Sequence, residues 1–388
     1  MREFQFELRV CQWAEREWPL TAEESADAGT DGAADTDDAA ATDGAADTDD
    51  AAATDAAHIV ARQIGTKRRR WDTVVVECDP EGLRRRAAFG AAELDSDLLH
   101  VVRSAPADWE WYREALPDPG YPWRYVRQAV HRAADRGLVE RRRGTNGRIE
   151  LRRKWVYPDW VRRIVAIENK PDLDASAARV LGPQLERDVT LALADEVWVA
   201  TSATGATVEP ALLEDVPVEA GVLTVDPTAG PTESGTMGSE AEVAWHPRTL
   251  AIDDPGTRIL ERPSGGDRDA SAARFEYADP DWKADKRLEL AERAYGRGWR
   301  AYAERMRTDC RHFELRADEA GFVPWCRAKE RAQTASECSG SCPDFEPEPP
   351  AWRTKGWPIE GGPGKGVKRL LDRQRRRQRP GLPERDEA

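Results

Sequence analysis

The sequence predicts an α/β fold built on a mixed sheet flanked by helices, and three stretches predict it. Thr73–Glu77 (TVVVE) and Arg163–Asn169 (RIVAIEN) are β-branched runs of strand length. Between Ala175 and Asp195 runs a helical stretch, followed at once by EVWVATS over 196–202, a third strand. A strand, a helix and a strand in that order make a crossover unit of an α/β sheet.

The elements follow in chain order. Residues 1–20 read as a first core helix: Phe4, Leu8, Cys11 and Trp18 are spaced for one apolar face, with Glu15 on that face, Glu7 at its edge and Trp13 opposite. Residues 21–57 hold about a dozen acidic residues and no basic one, and DGAADTDDAAAT at Asp31–Thr42 recurs at Asp43–Thr54. Alanine offers no face on which repeats could stack, so this segment is expected to be a disordered acidic linker. His58–Ile64, a Gly65-Thr66 turn and Arg69–Cys78 give a hairpin that Pro80 closes.

Residues 81–155 change texture. DSDLLHVV and WEWYREAL read as helices. A further helix places Val126, Ala129, Val130 and Ala133 inward and stops at Gly137, and LVERR and GTNGRIELRRKW follow as two strands. That order is that of a winged helix inserted between core strands; a small helical packing module is the plainer alternative. The core resumes over 156–250. After a polar, Gly-rich stretch at 254–275, a helix carrying Trp282, Leu290, Tyr295 and Met306 opens a segment (276–350) with four cysteines, and 351–388 is a basic tail.

No window approaches twenty apolar residues, and MREFQFELRV lacks the apolar core of a signal peptide, so a cytoplasmic protein without membrane spans is expected. The net charge of -14 disfavours polyanionic partners. The linker supplies most of it, however, and the remainder is close to neutral. Only nine of the 58 basic residues are lysine. Lysine scarcity with abundant Asp and a low pI resembles the composition of haloarchaeal proteins, where local basic patches say more than net charge.

One of the rare lysines ends the strand at 163–169. Glu168 and Lys170 point to the same face of an extended chain, and Asp72 heads the apolar part of a strand expected to pair with it. Read alone, Glu168 and Lys170 are a solvated ion pair. Two carboxylates beside one ammonium are costly to hold together unless a cation lies between them. Mg²⁺ (or Mn²⁺) takes one or two carboxylates and leaves its other positions to water and phosphate oxygen, which points to phosphodiester hydrolysis.

Asp72 on one strand and Glu168-x-Lys170 on the next, with this order of helix, hairpin, strand, helix and strand, resemble the PD-(D/E)xK nuclease superfamily, of restriction-endonuclease-like fold. The resemblance covers residues 1–20 and 58–250. It implies a DNA substrate, metal binding by Asp72 and Glu168 with the Asn169 carbonyl, and a water- and phosphate-positioning role for Lys170. From RecB-like members it implies a further carboxylate on the first helix, Glu15 (or Glu7), and Gln184 on the second. Asp188 stands where those members carry tyrosine. The rival expectation is a non-catalytic DNA-binding or regulatory protein on the same fold.

Two other features carry chemistry. In the insert, Arg124, Arg127, Arg132, Arg141, Arg142 and Arg148 form basic faces suited to DNA phosphates. Near the C-terminus, Cys310, Cys326, Cys338 and Cys342 suit a structural Zn²⁺ with four thiolates. An iron–sulfur cluster is the alternative, as in some RecB-like nucleases, with Cys11 as an upstream ligand. The sequence does not set the oligomeric state.

Overall fold

The computed structural model describes residues 3–19, 57–67, 69–144, 146–202, 214–226, 241–261, 274–318, 321–334, 337–338, 342–347 and 369–370. The acidic segment 21–57, save its last residue, and the tail 351–388, save 369–370, lie outside the described residues.

The β-branched runs pair as their patterns require. After helix α1 (Glu3–Glu17), β1 (Ala57–Gly65) and β2 (Arg70–Cys78) form an antiparallel hairpin with Val60 opposite Val75. Helix α2 (Pro80–Ala87) leads into the insert, made of α3 (Ser96–Ser104), β3 (Glu110–Trp111), α4 (Tyr112–Ala115), α5 (Trp123–Asp135), β4 (Val139–Arg143) and β5 (Ile149–Arg153). The core resumes with β6 (Val161–Asn169), α6 (Ala175–Leu191), β7 (Glu196–Ser202), β8 (Gly221–Val225) and β9 (Ala241–Trp245). The six-stranded sheet has the order β1-β2-β6-β7-β8-β9. β6, β7 and β8 run parallel to one another, and the remaining pairs are antiparallel, so the sheet is mixed.

Both sheet faces are covered, which is why the central strands are apolar almost throughout. Val75, Val165 and Ile167 face α1; Val74, Val76, Ile164 and Ala166 face a second core with Leu181 and Leu185 of α6. That second core is completed by Leu290 and Ala294 of α7 (Pro280–Arg297). A short two-stranded sheet, β10 (Gly256–Glu261) with β11 (Arg274–Ala278), precedes α7. It was not expected in the Gly-rich stretch, because Phe275 and Tyr277 remain exposed and leave no inward-facing pattern to read.

Two expectations for the helices need correction. The side of α1 away from its first apolar stripe is covered as well: Phe6, Val10, Trp13 and Glu15 are all buried. Trp13 meets Trp18 edge-on at 6.0 Å. The outer face of α1 is covered by Trp299, Tyr302, Val323 and Cys338 from the C-terminal region. Likewise, the helix through Met306 is broken: α7 ends where Gly298 adopts φ 63°, and residues Trp299–Arg305 continue as a 3₁₀ turn. The cysteines then lie on and around a small antiparallel sheet of β12 (Phe313–Asp318), β13 (Gly321–Cys326) and β14 (Arg331–Ala332).

The insert has its own core, with Val102, Val126, Val130, Leu138 and Leu151. The inward positions of α5 are those that the spacing predicts, and Gly137 stops the helix with φ 73°. Its three strands have the order β3-β5-β4.

Candidate active site at one end of the sheet

Strand pairing brings the motif residues together. β2 runs antiparallel to β6 with Thr73 opposite Ile167, so the start of β2 lies beside the end of β6 and Asp72 stands next to Glu168. Side chains of such directly opposed residues share a face and lie within contact reach. Asp72 Oδ2 accepts a hydrogen bond from the Asn169 backbone N–H at 3.0 Å. Lys170, just past the strand, is half-buried, and its Nζ lies 3.0 Å from Glu3 Oε1.

The third carboxylate comes from Glu7, one helical turn after Glu3. Gln63 Nε2 donates to Glu7 Oε1 at 2.8 Å and to Asp72 Oδ1 at 3.0 Å, tying α1 to the hairpin. Gln63 holds φ at 56°, and the register that passes from Arg62–Thr73 to Ile64–Trp71 sets it opposite Asp72. A left-handed non-glycine residue inside a strand is strained, and such strain collects at functional sites. Arg62 completes the Glu7 environment with a two-pronged contact, Nε to Oε1 at 3.1 Å and Nη2 to Oε2 at 2.6 Å. On the other side, Arg69 Nη2 donates to Glu168 Oε2 at 2.9 Å while its Nε holds Asp188 of α6 at 2.9–3.0 Å.

The electrostatics follow from crowding carboxylates at a dry sheet end. Burial first, and then the charge of Asp72, push the Glu168 carboxyl up to about 7 against the pull of Arg69 and Lys170. Burial also raises Glu7, with Asp72 adding to it and Arg62 opposing. For Lys170, burial disfavours the ammonium, but Glu3, Asp72 and Glu168 outweigh it and the group stays charged. The buried Oδ1 of Asn169 has no hydrogen-bond partner. Crowded carboxylates that repel one another are the hard oxygen donors that a small divalent cation takes. Among the described residues, no group of three or more His, Cys, Asp or Glu side chains stands arranged to hold a metal ion as it is. Here the carboxylates are turned to Arg62, Gln63 and Arg69, which a cation would have to displace.

The other sequence-predicted residues are placed as follows. Glu15 lies two turns beyond Glu7 and forms a buried, two-pronged ion pair with Arg300, at 2.5 and 2.6 Å, so the structure does not bring it to Asp72. Gln184 sits one turn before Asp188 on α6, with its buried Oε1 unpartnered. In the insert, Arg132 is held by Asp95 and Asp97, and Arg142 by Glu150. Arg148 lies over the Trp111 ring at 4.4 Å, and Arg124 over that of Tyr125 at 4.7 Å. Arg127 and Arg141 are exposed. The four C-terminal cysteines are free thiols lining one small cavity. Cys11 is distant from them in role: its Sγ contacts Thr73 at 3.4 Å on the sheet side of α1.

Residues 59–347 match the model of a family of unknown function, DUF5787. The chain belongs to that family. The DUF5787 match takes in Asp72, Glu168, Lys170 and all four C-terminal cysteines, and leaves α1 outside. No curated protein and no solved structure matches the chain. Among the described residues no helix is long and apolar enough to cross a membrane.

Sequence reading missed Gln63, Arg62 and Arg69. Nothing in their local pattern marks them: Gln63 acts through a side-chain amide shared by Glu7 and Asp72, and Arg69 through a partner 119 residues away.

Proposed function

We propose that this protein is a divalent-metal-dependent DNA nuclease of the PD-(D/E)xK kind on a restriction-endonuclease-like core. The observation that carries it is the register of β2 on β6, which sets Asp72 beside Glu168 with Lys170 in their field. A bound Mg²⁺ or Mn²⁺ would supply a polarised water and screen the phosphate charge. Asp72 and Glu168 would hold it, with Glu7 as the α1 carboxylate in place of Glu15. Lys170 carries a compact charge to the scissile phosphate. Its partner Glu3 is mostly exposed and weakly bound, so a phosphate displaces it readily. Arg69 keeps Glu168 oriented while Asp188 holds Arg69. The DNA partner, the cytoplasmic location and the haloarchaeal setting belong to the same reading, so cleavage is best assayed at high salt.

A pH dependence follows. Glu168 must be ionised to hold a cation, and its carboxyl titrates near 7. Affinity for Mn²⁺ is expected to rise as pH passes upward through 7 and to level off above 8. Calorimetric titration at pH 6 and pH 8 checks this, and equal affinities would remove Glu168 from the site.

The insert, with helices followed by a β4–β5 hairpin, supports a winged-helix role in DNA contact. If the chain proves to bind duplex DNA without cutting it in Mg²⁺ or Mn²⁺, the non-catalytic reading replaces the nuclease.

For the C-terminal cysteines we propose one structural Zn²⁺. Burial raises the Cys338 thiol, with Cys310, Cys342 and Cys326 adding to it and the Arg307 N–H opposing. That N–H lies 3.4 Å from Cys338 Sγ, and Lys329 Nζ lies 3.3 Å from Cys342 Sγ, so donors already face the sulfurs. The side chains would have to draw in around the ion. Elemental analysis is expected to find about one zinc per chain and no visible absorbance. A visible band with iron would select the iron–sulfur alternative, and absence of both would end the metal reading. Because Cys338 shares a core with Trp13 and Val10, stripping the metal is expected to loosen α1.

A further inference from the structure

In a chain of net charge -14, one cleft of about 720 Å³ is lined by six cationic side chains, Lys67, Arg69, Arg187, Arg258, Lys286 and Arg293, against two acidic ones, Asp188 and Glu289. It opens beside the turn of the β1–β2 hairpin, between α6 and α7. The acids offset only part of that charge. Asp188 is engaged by Arg69, and Glu289 is shared between Lys286 at 2.6 Å and Arg293 at 3.9 Å. Arg187 Nε is buried with no hydrogen-bond partner, and Lys67 is exposed. On one wall the Arg258 guanidinium lies over the Trp282 ring, 4.7 Å from its centroid, and pairs with Glu276 at 3.0 Å. Arg69 belongs both to this cleft and to the carboxylate site, because its Nη2 holds Glu168.

We propose that this cleft binds a single strand of DNA and leads it to the Asp72–Glu168 pair. The excess of six cations over two acids, with Lys67 exposed and in no ion pair among the described residues, suits the phosphates, and the Trp282 ring beside Arg258 suits a base. That combination of charged groove and planar platform is how single strands are held without sequence preference. The volume is that of a small-ligand pocket, roughly 300–1,000 Å³, which admits a short run of one strand and not a duplex. The substrate is therefore a DNA end or gap with at least one unpaired strand. Only the destination of the strand rests on the nuclease reading.

The test measures binding without cleavage. Fluorescein-labelled oligo-dT is titrated with the full chain in EDTA at several salt concentrations, and fluorescence anisotropy is recorded. The double variant Lys67→Glu/Lys286→Glu is expected to weaken binding at least tenfold and to flatten the salt dependence by about 1.4 in log–log slope, ~0.7 for each lost phosphate contact. Arg258→Ala should weaken oligo-dT more than an abasic strand of equal length. Arg84→Glu/Arg85→Glu, two exposed cations on α2 away from the cleft, should leave oligo-dT affinity within twofold. Unchanged affinity in the Lys67/Lys286 variant, or abasic and oligo-dT strands responding equally to Arg258→Ala, overturns the proposal. A chain that binds oligo-dT through the cleft yet cuts no DNA in Mg²⁺ leaves the cleft standing and removes the nuclease. A chain that cuts DNA while the Lys67/Lys286 variant binds as before removes the cleft alone.

Discussion

Glu168→Gln is expected to abolish Mg²⁺-dependent DNA cleavage, by at least about a hundredfold, while making the protein more stable at pH 8. The two effects have one cause. Glu168 is buried beside Asp72 and its carboxyl titrates near 7 instead of near 4.5. A carboxyl raised by folding costs stability once it ionises: the cost appears as pH climbs from the unfolded value through the folded one. The shift corresponds to on the order of 3 kcal/mol. Glutamine keeps an oxygen for Arg69, which is also anchored on Asp188, and removes the charge facing Asp72. The gain should therefore be present at pH 8 and disappear below about pH 4.5, where both forms are neutral. Lys170→Arg is expected to lose cleavage without losing the fold, because a planar fork does not replace a compact ammonium at a phosphate. Urea unfolding at both pH values, beside a cleavage assay, checks the prediction. Wild-type cleavage by Glu168→Gln, or a loss of stability at pH 8, would sink it.

Glu292→Ala is expected to have the largest effect on stability, about 3–5 kcal/mol. Arg86 and Glu292 are both fully buried and paired through two nitrogens. Glu292 also accepts from Tyr157 Oη at 2.6 Å and from the Leu94 N–H at 2.9 Å. Arg86 lies over the Tyr295 ring at 4.1 Å and donates to the carbonyls of Gly90 and Ala92. One carboxylate on α7 thus organises α2, the entry to the insert and the return to β6. Removing it leaves a buried guanidinium and two further donors unpaired. Exchanging both partners, Arg86→Met with Glu292→Leu, should recover much of the loss. Chemical denaturation of the three forms decides it, and a cost below about 1 kcal/mol for Glu292→Ala would show that water reaches the pair.

The core was legible where one period dominates. The apolar centres of the runs at 73–77 and 163–169 are β-branched or aliphatic and of strand length, which marks strands covered on both faces, although such runs carry no alternation to set the register. The inward face of α5 was legible from its helical spacing. The expected meeting of Asp72 with Glu168 depended on β2 pairing with β6 across the insert, which local pattern leaves open and the register supplies. Glu7 and Glu15 could not be told apart in sequence. They lie eight residues apart on a helix that proves covered on both sides, so facing gives no distinction. What separates them is their partners: Gln63 and Arg62 draw Glu7 to the sheet end, whereas Arg300 claims Glu15. The C-terminal sheet was missed because its strands are short and built around cysteines and charges.

By itself the sequence determined the central strands of the core, the order in which they occur, the bounds of the insert and the cysteine cluster, because each is written in local periodicity or residue type. The tertiary structure decided which carboxylate of α1 reaches Asp72, that Arg69 links Glu168 to α6, and that scattered cations between residues 67 and 293 line one cleft. These are long-range pairings, fixed by how the sheet and helices pack, and no local pattern carries them.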